Sequence, residues 1–323
     1  MKAILVPKPG PADVMQYGDA PDPTPKDGEL LVRVHGTAVN RADILQRLGL
    51  YPPPPGASEI LGLEIVGEVV QPAGRWKKGD RVMAVVAGGG YAQLATVPAA
   101  QAMPVPEGMS YEQAAALPEA YQTAYLNMFI LGKLKHGESV LVHAGASGVG
   151  TAAIQLARAV GARVLATAGT DEKLAFCREL GADVTINYKK EKFSERVLAT
   201  TDKRGVDLIL DFIGAAYWNE NLVALANYGR MTIIGFLGGD QGQLSLGLMM
   251  RKSLTVMSTT LRRTPADKKE ELVKVLGEFA HERFKSGELK PIVDSVYPLE
   301  RAADAHRHME SNRNIGKIVL RVE

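Results

Sequence analysis

Apolar and polar positions change rhythm once along this chain, at Ser110. Before that point, short apolar runs alternate with Gly, Pro and Asp clusters. Leu30–Val39 and Ile60–Val70 are rich in Val, Ile and Leu and lie between such clusters, which predicts strands. Asp80–Val86 and Tyr91–Val97 flank Gly88, Gly89 and Gly90 and read as a hairpin with a longer loop. A short helix is predicted over Arg41–Leu48, and Pro52–Pro55 forces an extended segment beside it. This part of the chain reads as a β-rich domain.

From Ser110 the apolar spacing becomes helical. Ser110–Leu131 carries a cap at Ser110, and Pro118 either kinks the helix or divides it in two. Strands and helices then alternate: strand Glu138–His143, helix Val149–Val160, strand Arg163–Thr167, helix Asp171–Leu180 and strand Val184–Asn187. Strands Val206–Leu210 and Arg230–Ile234 follow, separated by a helix around Tyr217–Ala226. Such alternation predicts right-handed βαβ units and a doubly wound parallel sheet, an α/β fold. The end of the chain predicts a long helix (Ala266–Phe284), a strand (Ile292–Tyr297), a helix (Leu299–Ser311) and a strand (Ile315–Val322). This tail is either a third domain or a return that completes the first.

Composition narrows the class. A length of 323 residues suggests about two domains, and 46% hydrophobic with 23% charged residues is an ordinary globular balance. Thirty-eight basic against 36 acidic residues leave +2, which argues against nucleic acid and anionic membranes as partners. A single cysteine, Cys177, excludes an intrachain disulfide and a multi-cysteine zinc site, and fits a reducing, cytoplasmic compartment. Placed inside a sheet-flanking helix, Cys177 reads as a buried small hydrophobe. The N-terminal MKAILVPKPG has too little apolar length for a signal peptide, and the uncharged run Val82–Pro106 is too broken by glycine and proline to span a membrane.

His143–Gly150 reads HAGASGVG, directly after a predicted strand and before a predicted helix. Gly145, Gly148 and Gly150 form G-x-x-G-x-G, not the usual G-x-G-x-x-G. In this context the glycines, with Ser147 and Val149 between them, let backbone approach a pyrophosphate at a helix N-terminus. His143 is expected to hydrogen-bond a backbone group, not to act as an acid. The end of the next strand selects the dinucleotide. An acid there binds the ribose hydroxyls of NAD, but this chain has Ala168 and Gly169, with Asp171 arriving later. Thr170 would cap the following helix and put Lys173 in its first turn, where a cation opposes the helix dipole unless an anion lies nearby. A 2′-phosphate would be that anion, so NADPH is the expected cofactor.

Five stretches carry a family resemblance: NRADILQRLGLYPPPPG (40–56), ILGLEIVG (60–67), PEAYQTA (118–124), HAGASGVGTAAIQL (143–156) and NRNIGK (312–317). Spread over the whole chain, they resemble the zinc-free quinone oxidoreductases of the medium-chain dehydrogenase/reductase superfamily. Within these the chain looks most like the tumour-suppressor-inducible branch, relatives of zeta-crystallin. The resemblance implies a GroES-like catalytic domain from residues 1–121 and 262–323. A Rossmann NADPH-binding domain, 122–261, is inserted into it, and the active site lies in the interdomain cleft. Related alcohol dehydrogenases hold zinc through a Cys after the second long strand and a His in G-H-E. The slots here look like Asn40 and Leu63, neither of which is a metal ligand, so no metal is expected. His306 and His308 point in different directions on a helix and read as surface residues.

Hydride addition to a quinone gives a phenol-like anion, with a proton affinity near the tyrosine reference of ~10, which water can protonate. No indispensable triad is therefore expected. The resemblance places Asn40, Tyr51, Thr123, Ser147 and Phe236 near the nicotinamide. Asn40 would bond the acceptor oxygen or the ribose, and Tyr51 would stack on a quinone or donate a proton. Tyr188 resembles the family tyrosine on the adenosine phosphate side, and Asn314 and Lys317 could reach back to the cofactor. The expected activity is NADPH-dependent reduction of quinones. A double-bond reductase of alkenals or enoyl thioesters and an NADPH-binding protein with an RNA-binding or structural role remain as alternatives. Leu254–Thr259 is an apolar segment suited to edge pairing of two Rossmann domains in a homodimer.

Overall fold

The structure, a computed structural model, describes residues 1–323, and the chain folds into two compact units. One unit joins Met1–Gln122 to Arg262–Glu323; the other is the contiguous segment Thr123–Leu261. In the first unit, β1 (Lys2–Leu5) and β2 (Gln16–Asp19) form a small antiparallel ribbon. The main sheet begins with β3 (Glu29–Ala38), followed by α1 (Arg41–Arg47), β4 (Glu64–Gln71), β5 (Arg81–Val85), β6 (Leu94–Pro98) and the two-residue β7 (Met103–Pro104). Along β3, Leu30, Val32 and Val34 point inward, as strand alternation requires, and pack with Ile65, Val82, Ala84 and Val97.

The expected hairpin across Gly88–Gly90 does not form. β5 pairs with β4 and β7, while β6 pairs with β3. The glycine segment instead lies along residues 60–63: Val86 N–H donates to the Leu63 carbonyl (2.8 Å), Gly89 to Ile60 (2.8 Å), Gly90 to Gly62 (3.1 Å) and Tyr91 to Leu61 (2.9 Å). A Cβ on Gly90 would stand 2.7 Å from the Glu64 carbonyl oxygen, so absent side chains permit this approach. Hence the strand expected to start at Ile60 starts at Glu64. Ser110 caps α2 (Tyr111–Ala115), with its Oγ accepting from Gln113 N–H, and Pro118 opens a separate helix, α3 (Pro118–Tyr125). Proline thus divides the helical stretch, which ends in a π-helical turn over Leu126–Leu131.

The second unit contains β8 (Ser139–Val142), α4 (Gly148–Ala159), β9 (Arg163–Ala168), α5 (Asp171–Glu179), β10 (Val184–Asn187), α6 (Phe193–Thr200), β11 (Val206–Asp211), α7 (Trp218–Ala224), β12 (Leu225–Ile233), α8 (Leu246–Lys252) and β13 (Thr255–Ser258). The strands are all parallel, in the order β10-β9-β8-β11-β12-β13. This is the doubly wound order, with its switch point between β8 and β11. Every residue of β8 is buried, which is why it reads as a continuous apolar run and not as an alternation. Two helices, α6 and α8, are not anticipated by the sequence pattern. β12 begins at Leu225, five residues earlier than expected, because α7 ends at Ala224.

The tail then returns to the first unit. After α9 (Ala266–Ser286), β14 (Val293–Pro298) and α10 (Ala302–Glu310), β15 (Lys317–Arg321) pairs antiparallel with β3, extending the sheet to β14-β15-β3-β4-β5-β7. No helix is long and apolar enough to cross a membrane. The β3–β4 ladder leaves no room at Gly67, where a Cβ would overlap the Arg33 carbonyl oxygen. Gly67→Ala is therefore expected to cost about 1–3 kcal/mol as overpacking, read by calorimetry as a lowered thermal midpoint. An unchanged midpoint would contradict this account of the ladder.

Candidate active site

In the second unit the C-terminal ends of the parallel strands gather one set of candidate residues. β8 runs into His143 and then Ala144, whose φ of 45° turns the chain sharply. Gly150 is a steric necessity, and Gly145 sits in tight quarters. A Cβ on Gly145 would stand 3.0 Å from Ala166 Cβ and from Cys177 Sγ, and one on Gly150 would overlap the Ala144 carbonyl oxygen. Ser147 Oγ accepts from Gly150 N–H (3.0 Å) and caps α4. The first-turn N–H groups of Gly148 and Val149 have no intrahelical acceptor, so this end of α4 suits a phosphate.

His143 supports the loop from below. Its Nδ1 lies 3.0 Å from Thr167 Oγ1 and its Nε2 lies 2.7 Å from Asn221 Oδ1, while Asn221 Nδ2 donates to Asp211 Oδ2 (3.2 Å). The partners are side chains, not the expected backbone group, because the ring is sealed among Phe193, Tyr217 and the strand ends. Burial pushes its pKa down to about 4 and pushes the Asp211 carboxyl up to about 6. Cys177 is a buried small residue, its thiol pushed up to about 12 by burial.

At the end of β9 no carboxylate occupies the ribose position. Thr170 Oγ1 caps α5 by accepting from Lys173 N–H (3.3 Å). Asp171 turns to the next strand end, accepting from Lys190 Nζ (2.7 Å) and Asn187 Nδ2 (3.2 Å). The hydrogen bond from Lys190 holds its carboxyl below the ordinary range. Tyr188 and Lys189 lean over Gly169, where a Cβ would stand 2.7 Å from the Tyr188 hydroxyl and 3.1 Å from Lys189 Cε. After β12, exposed Phe236 has its backbone against Gly214, so the loops following β11 and β12 abut. Buried Thr123 accepts at its carbonyl from Asn127 Nδ2 (2.9 Å).

The first unit holds a cluster of buried charges. Lys317 Nζ on β15 donates to Glu64 Oε1 (2.7 Å), Asn40 Oδ1 (2.6 Å) and the Val39 carbonyl (3.3 Å). Asn40 Nδ2 also donates to Glu64 Oε1 (2.9 Å), and Glu64 Oε2 accepts from Glu119 N–H (2.9 Å). All three donors of the Lys317 ammonium are thereby taken, so Lys317 braces the cluster and does not reach out of it. Asn314, also expected to reach for the cofactor, turns its amide onto the Gly316 carbonyl (2.9 Å). Asp43 accepts from Asn40 N–H (2.8 Å), Gly62 N–H (3.1 Å) and the Tyr91 hydroxyl (3.3 Å).

The expectation that His306 is a surface residue is wrong. It is fully buried, its Nε2 3.0 Å from the Tyr91 hydroxyl and its Nδ1 3.2 Å from Arg47 Nη1. Arg47 can only donate, so Nδ1 accepts and Nε2–H donates to Tyr91. Arg47 is anchored in turn on Glu310 (2.5 Å). No local pattern signals this, because the partners of His306 lie 215 and 259 positions away. His308 is half-buried beside Ser295, Tyr297 and Asp294.

Tyr51 has the Arg262 guanidinium 5.3 Å from its ring centroid, and Arg262 Nε donates to the Ala87 carbonyl (2.7 Å). Arg262, Asp43, Glu64 and Glu119 are thus functional candidates to which the sequence reading gave no role, although the last three lie within the stretches that carry the family resemblance. The readable signals are Asp43 three residues after Asn40, a helix-capping spacing, and Glu64 as a charged residue inside the apolar run Ile60–Val70. Leu63 is core, and no group of three or more His, Cys, Asp or Glu side chains is arranged to hold a metal ion, so these residues do not fit a zinc site.

A dinucleotide-type parallel sheet inserted into a β-rich unit with a buried polar cluster defines a two-unit dehydrogenase. The family model for an alcohol dehydrogenase GroES-like domain matches residues 26–107, and that for a zinc-binding dehydrogenase matches residues 148–278. The chain belongs to the medium-chain dehydrogenase/reductase superfamily and is an oxidoreductase. Quinone oxidoreductase of Sus scrofa is 32% identical over 99% of this chain and 97% of its own length. The quinone oxidoreductase of Escherichia coli, solved in complex with NADPH, superposes with a TM-score of 0.90 at 31% identity, over 99% of this chain and all of its own. An NAD-dependent alcohol dehydrogenase superposes with a TM-score of 0.88 at 32% identity, over the whole of both chains.

Burial and the neighbouring charge of Glu64 push Glu119 up to about 8. Its unfolded value is about 4.3, so the folded state binds the proton more tightly. That contribution is complete below about pH 4 and is lost as pH rises towards 8. Relative to Glu119→Gln, which does not titrate, the wild type should therefore lose stability from pH 5 to 8, by up to about 1.4 kcal/mol per unit. Denaturant midpoints measured across that range would show it, and parallel curves would refute it.

Proposed function

We propose that this protein is an NADPH-dependent quinone reductase that works without zinc. The observation that carries the reading is the end of β9. Gly169 occupies the place of the ribose-binding acid, Asp171 is tied to Lys190, Lys189 leans over Gly169, and Lys173 belongs to the first turn of α5. A site of this composition favours a 2′-phosphate over a free 2′-hydroxyl. Gly145, Ser147, Gly148, Val149 and Gly150 would hold the pyrophosphate, with Gly169, Thr170, Lys173 and Tyr188 around the adenosine end. When bound, NADPH supplies the hydride from its dihydronicotinamide ring. Thr123 and Phe236 would border that ring.

Asn40 and Leu63, in the slots where zinc-dependent relatives hold their metal, support an acceptor electrophilic enough to need no Lewis acid. Tyr51, with the Arg262 guanidinium against its ring, offers a flat aromatic face for a quinone. The acid-rich cluster favours a second reading, reduction of conjugated enones, whose enolate product needs a proton more than a hydroquinone anion does. The apolar edge strand β13 supports a homodimer formed through the parallel sheets. The free, buried Cys177 is compatible with a reducing, cytoplasmic compartment.

Steady-state oxidation of NADPH with ortho-quinones, para-quinones and enones, with NADH as control, tests the reading. NADPH should be preferred, and Lys173→Ala should lower the NADPH-to-NADH ratio of kcat/KM about tenfold, the loss of one charge-assisted hydrogen bond. Equal use of both cofactors by the wild type would overturn the assignment.

A further inference from the structure

We propose that His143 is a positioning residue for the dinucleotide: through a one-way chain of buried hydrogen bonds it holds the adenosine half and the nicotinamide half of the site at a fixed separation. This rests on the reading that the parallel sheet binds NADPH, and it concerns that unit alone. The links of the chain are the side chains of Thr167, His143, Asn221 and Asp211, all of them buried.

Donors and acceptors impose its direction. Asp211 Oδ1 accepts from Ile213 N–H (2.8 Å), and its Oδ2 accepts from Gly214 N–H (3.2 Å) and Asn221 Nδ2 (3.2 Å). With its amide nitrogen turned to that carboxylate, Asn221 presents Oδ1 to His143 Nε2, 2.7 Å away, so Nε2 carries the imidazole proton. A neutral ring has one such proton, which leaves Nδ1 bare to accept from the Thr167 hydroxyl (3.0 Å). Burial lowers the imidazole to about 4 and raises the carboxyl to about 6, so at pH 7 the ring is uncharged and Asp211 is an anion. Moving the ring proton to Nδ1 would set Nε2 against Asn221 Oδ1, acceptor against acceptor. Turning the amide over would set its oxygen against the carboxylate instead. Phe193 and Tyr217 close on the ring edge-on, with centroids 4.8 and 4.9 Å away, and hold it in place.

The chain crosses the switch point of the sheet. His143 follows β8 and continues its ladder, with its N–H on the Leu210 carbonyl (3.1 Å). On one side, Thr167 lies near the end of β9, two residues before Gly169, and its carbonyl accepts from Gly145 N–H (2.9 Å). The glycine loop is therefore fastened to the end of β9 by backbone as well. On the other side, Asp211 ends β11 and anchors the loop that follows. That loop is tied to the one after β12, by Gly238 N–H to the Ile213 carbonyl (2.8 Å) and by Ala215 N–H to the Gly239 carbonyl (2.9 Å). Phe236 belongs to this second loop. A dinucleotide spans such a crevice with one mononucleotide on each side, and His143 bonds to both sides. A two-part ligand gains the full benefit of both halves when the half-sites are already spaced to receive it.

Binding to the full-length protein tests this, with His143→Ala, His143→Gln and Thr167→Val each first checked for wild-type circular dichroism. Calorimetry compares affinity for NADPH with affinity for its adenosine half, 2′,5′-ADP. His143→Ala should weaken NADPH roughly tenfold, the loss of one or two neutral hydrogen bonds, and leave 2′,5′-ADP within about twofold. Thr167→Val, which keeps the volume and removes the hydroxyl, should show the same split, and it serves if His143→Ala does not fold. His143→Gln, whose amide N–H can still reach Asn221, should recover part of the NADPH affinity. Independently of any ligand, nitrogen-15 NMR of the wild type at pH 7 should show His143 neutral and protonated at Nε2. The proposal is overturned if NADPH and 2′,5′-ADP weaken equally, if neither weakens, or if the ring is charged or protonated at Nδ1. A wild type that binds neither NADPH nor NADH overturns the functional reading and this proposal with it. A wild type that prefers NADH overturns the cofactor assignment alone, and the split is then read from NADH against 5′-AMP.

Discussion

The ion pair between Lys317 and Glu64 is the contact on which the first unit depends. Both side chains are almost wholly removed from solvent, 5% and 0% exposed, so each has given up hydration that the other, with Asn40 and nearby backbone groups, replaces. The pair joins β15, near the end of the chain, to β4, and Asn40 bridges it from the start of α1. A buried pair of this kind contributes less to net stability than to specificity, since any other register of β15 strands a bare charge in the interior. Asn40 and the start of α3 at Glu119 are held directly on it.

The two units build their candidate sites by opposite means. In the parallel sheet the decisive positions are those with little or no side chain: Gly145, Gly150 and Gly169 allow backbone and neighbouring rings to come close. The β-rich unit instead works with side chains, three acids and three cations whose mutual constraints set who carries charge. At Gly150 the backbone leaves no room for an added atom, while at Gly145 and Gly169 an added atom would press on neighbouring side chains. Charge clusters of the second kind tolerate no missing partner.

This difference also explains what could be read from the sequence. The glycine loop, the strand and helix alternation and the caps at Ser110 and Thr170 are local patterns, legible because each is decided within a few residues. The parallel arrangement of the strands follows from their alternation with helices, whereas their order in the sheet is read only from the structure. The hairpin across Gly88–Gly90 was misread because its outcome depends on residues 60–63, which compete for the same hydrogen bonds. His306 was misread for the same reason on a larger scale. Asn40 stands out in the sequence through its motif, but the hydrogen bonds of its amide to Glu64 and Lys317 depend on an approach across more than two hundred residues that no local pattern encodes.

The placement of β15 has a consequence for synthesis. The parallel-sheet unit is one continuous stretch of chain, whereas the other must wait for residues made after it. At ~5–20 residues per second, Glu64 leaves the ribosome many seconds before Lys317 exists. During that interval the open edge of β3 lacks its neighbour, and the Glu64 carboxylate must stay hydrated. The nascent N-terminal segment is thus held back from premature burial until its cation arrives, while the inserted unit has already had time to fold.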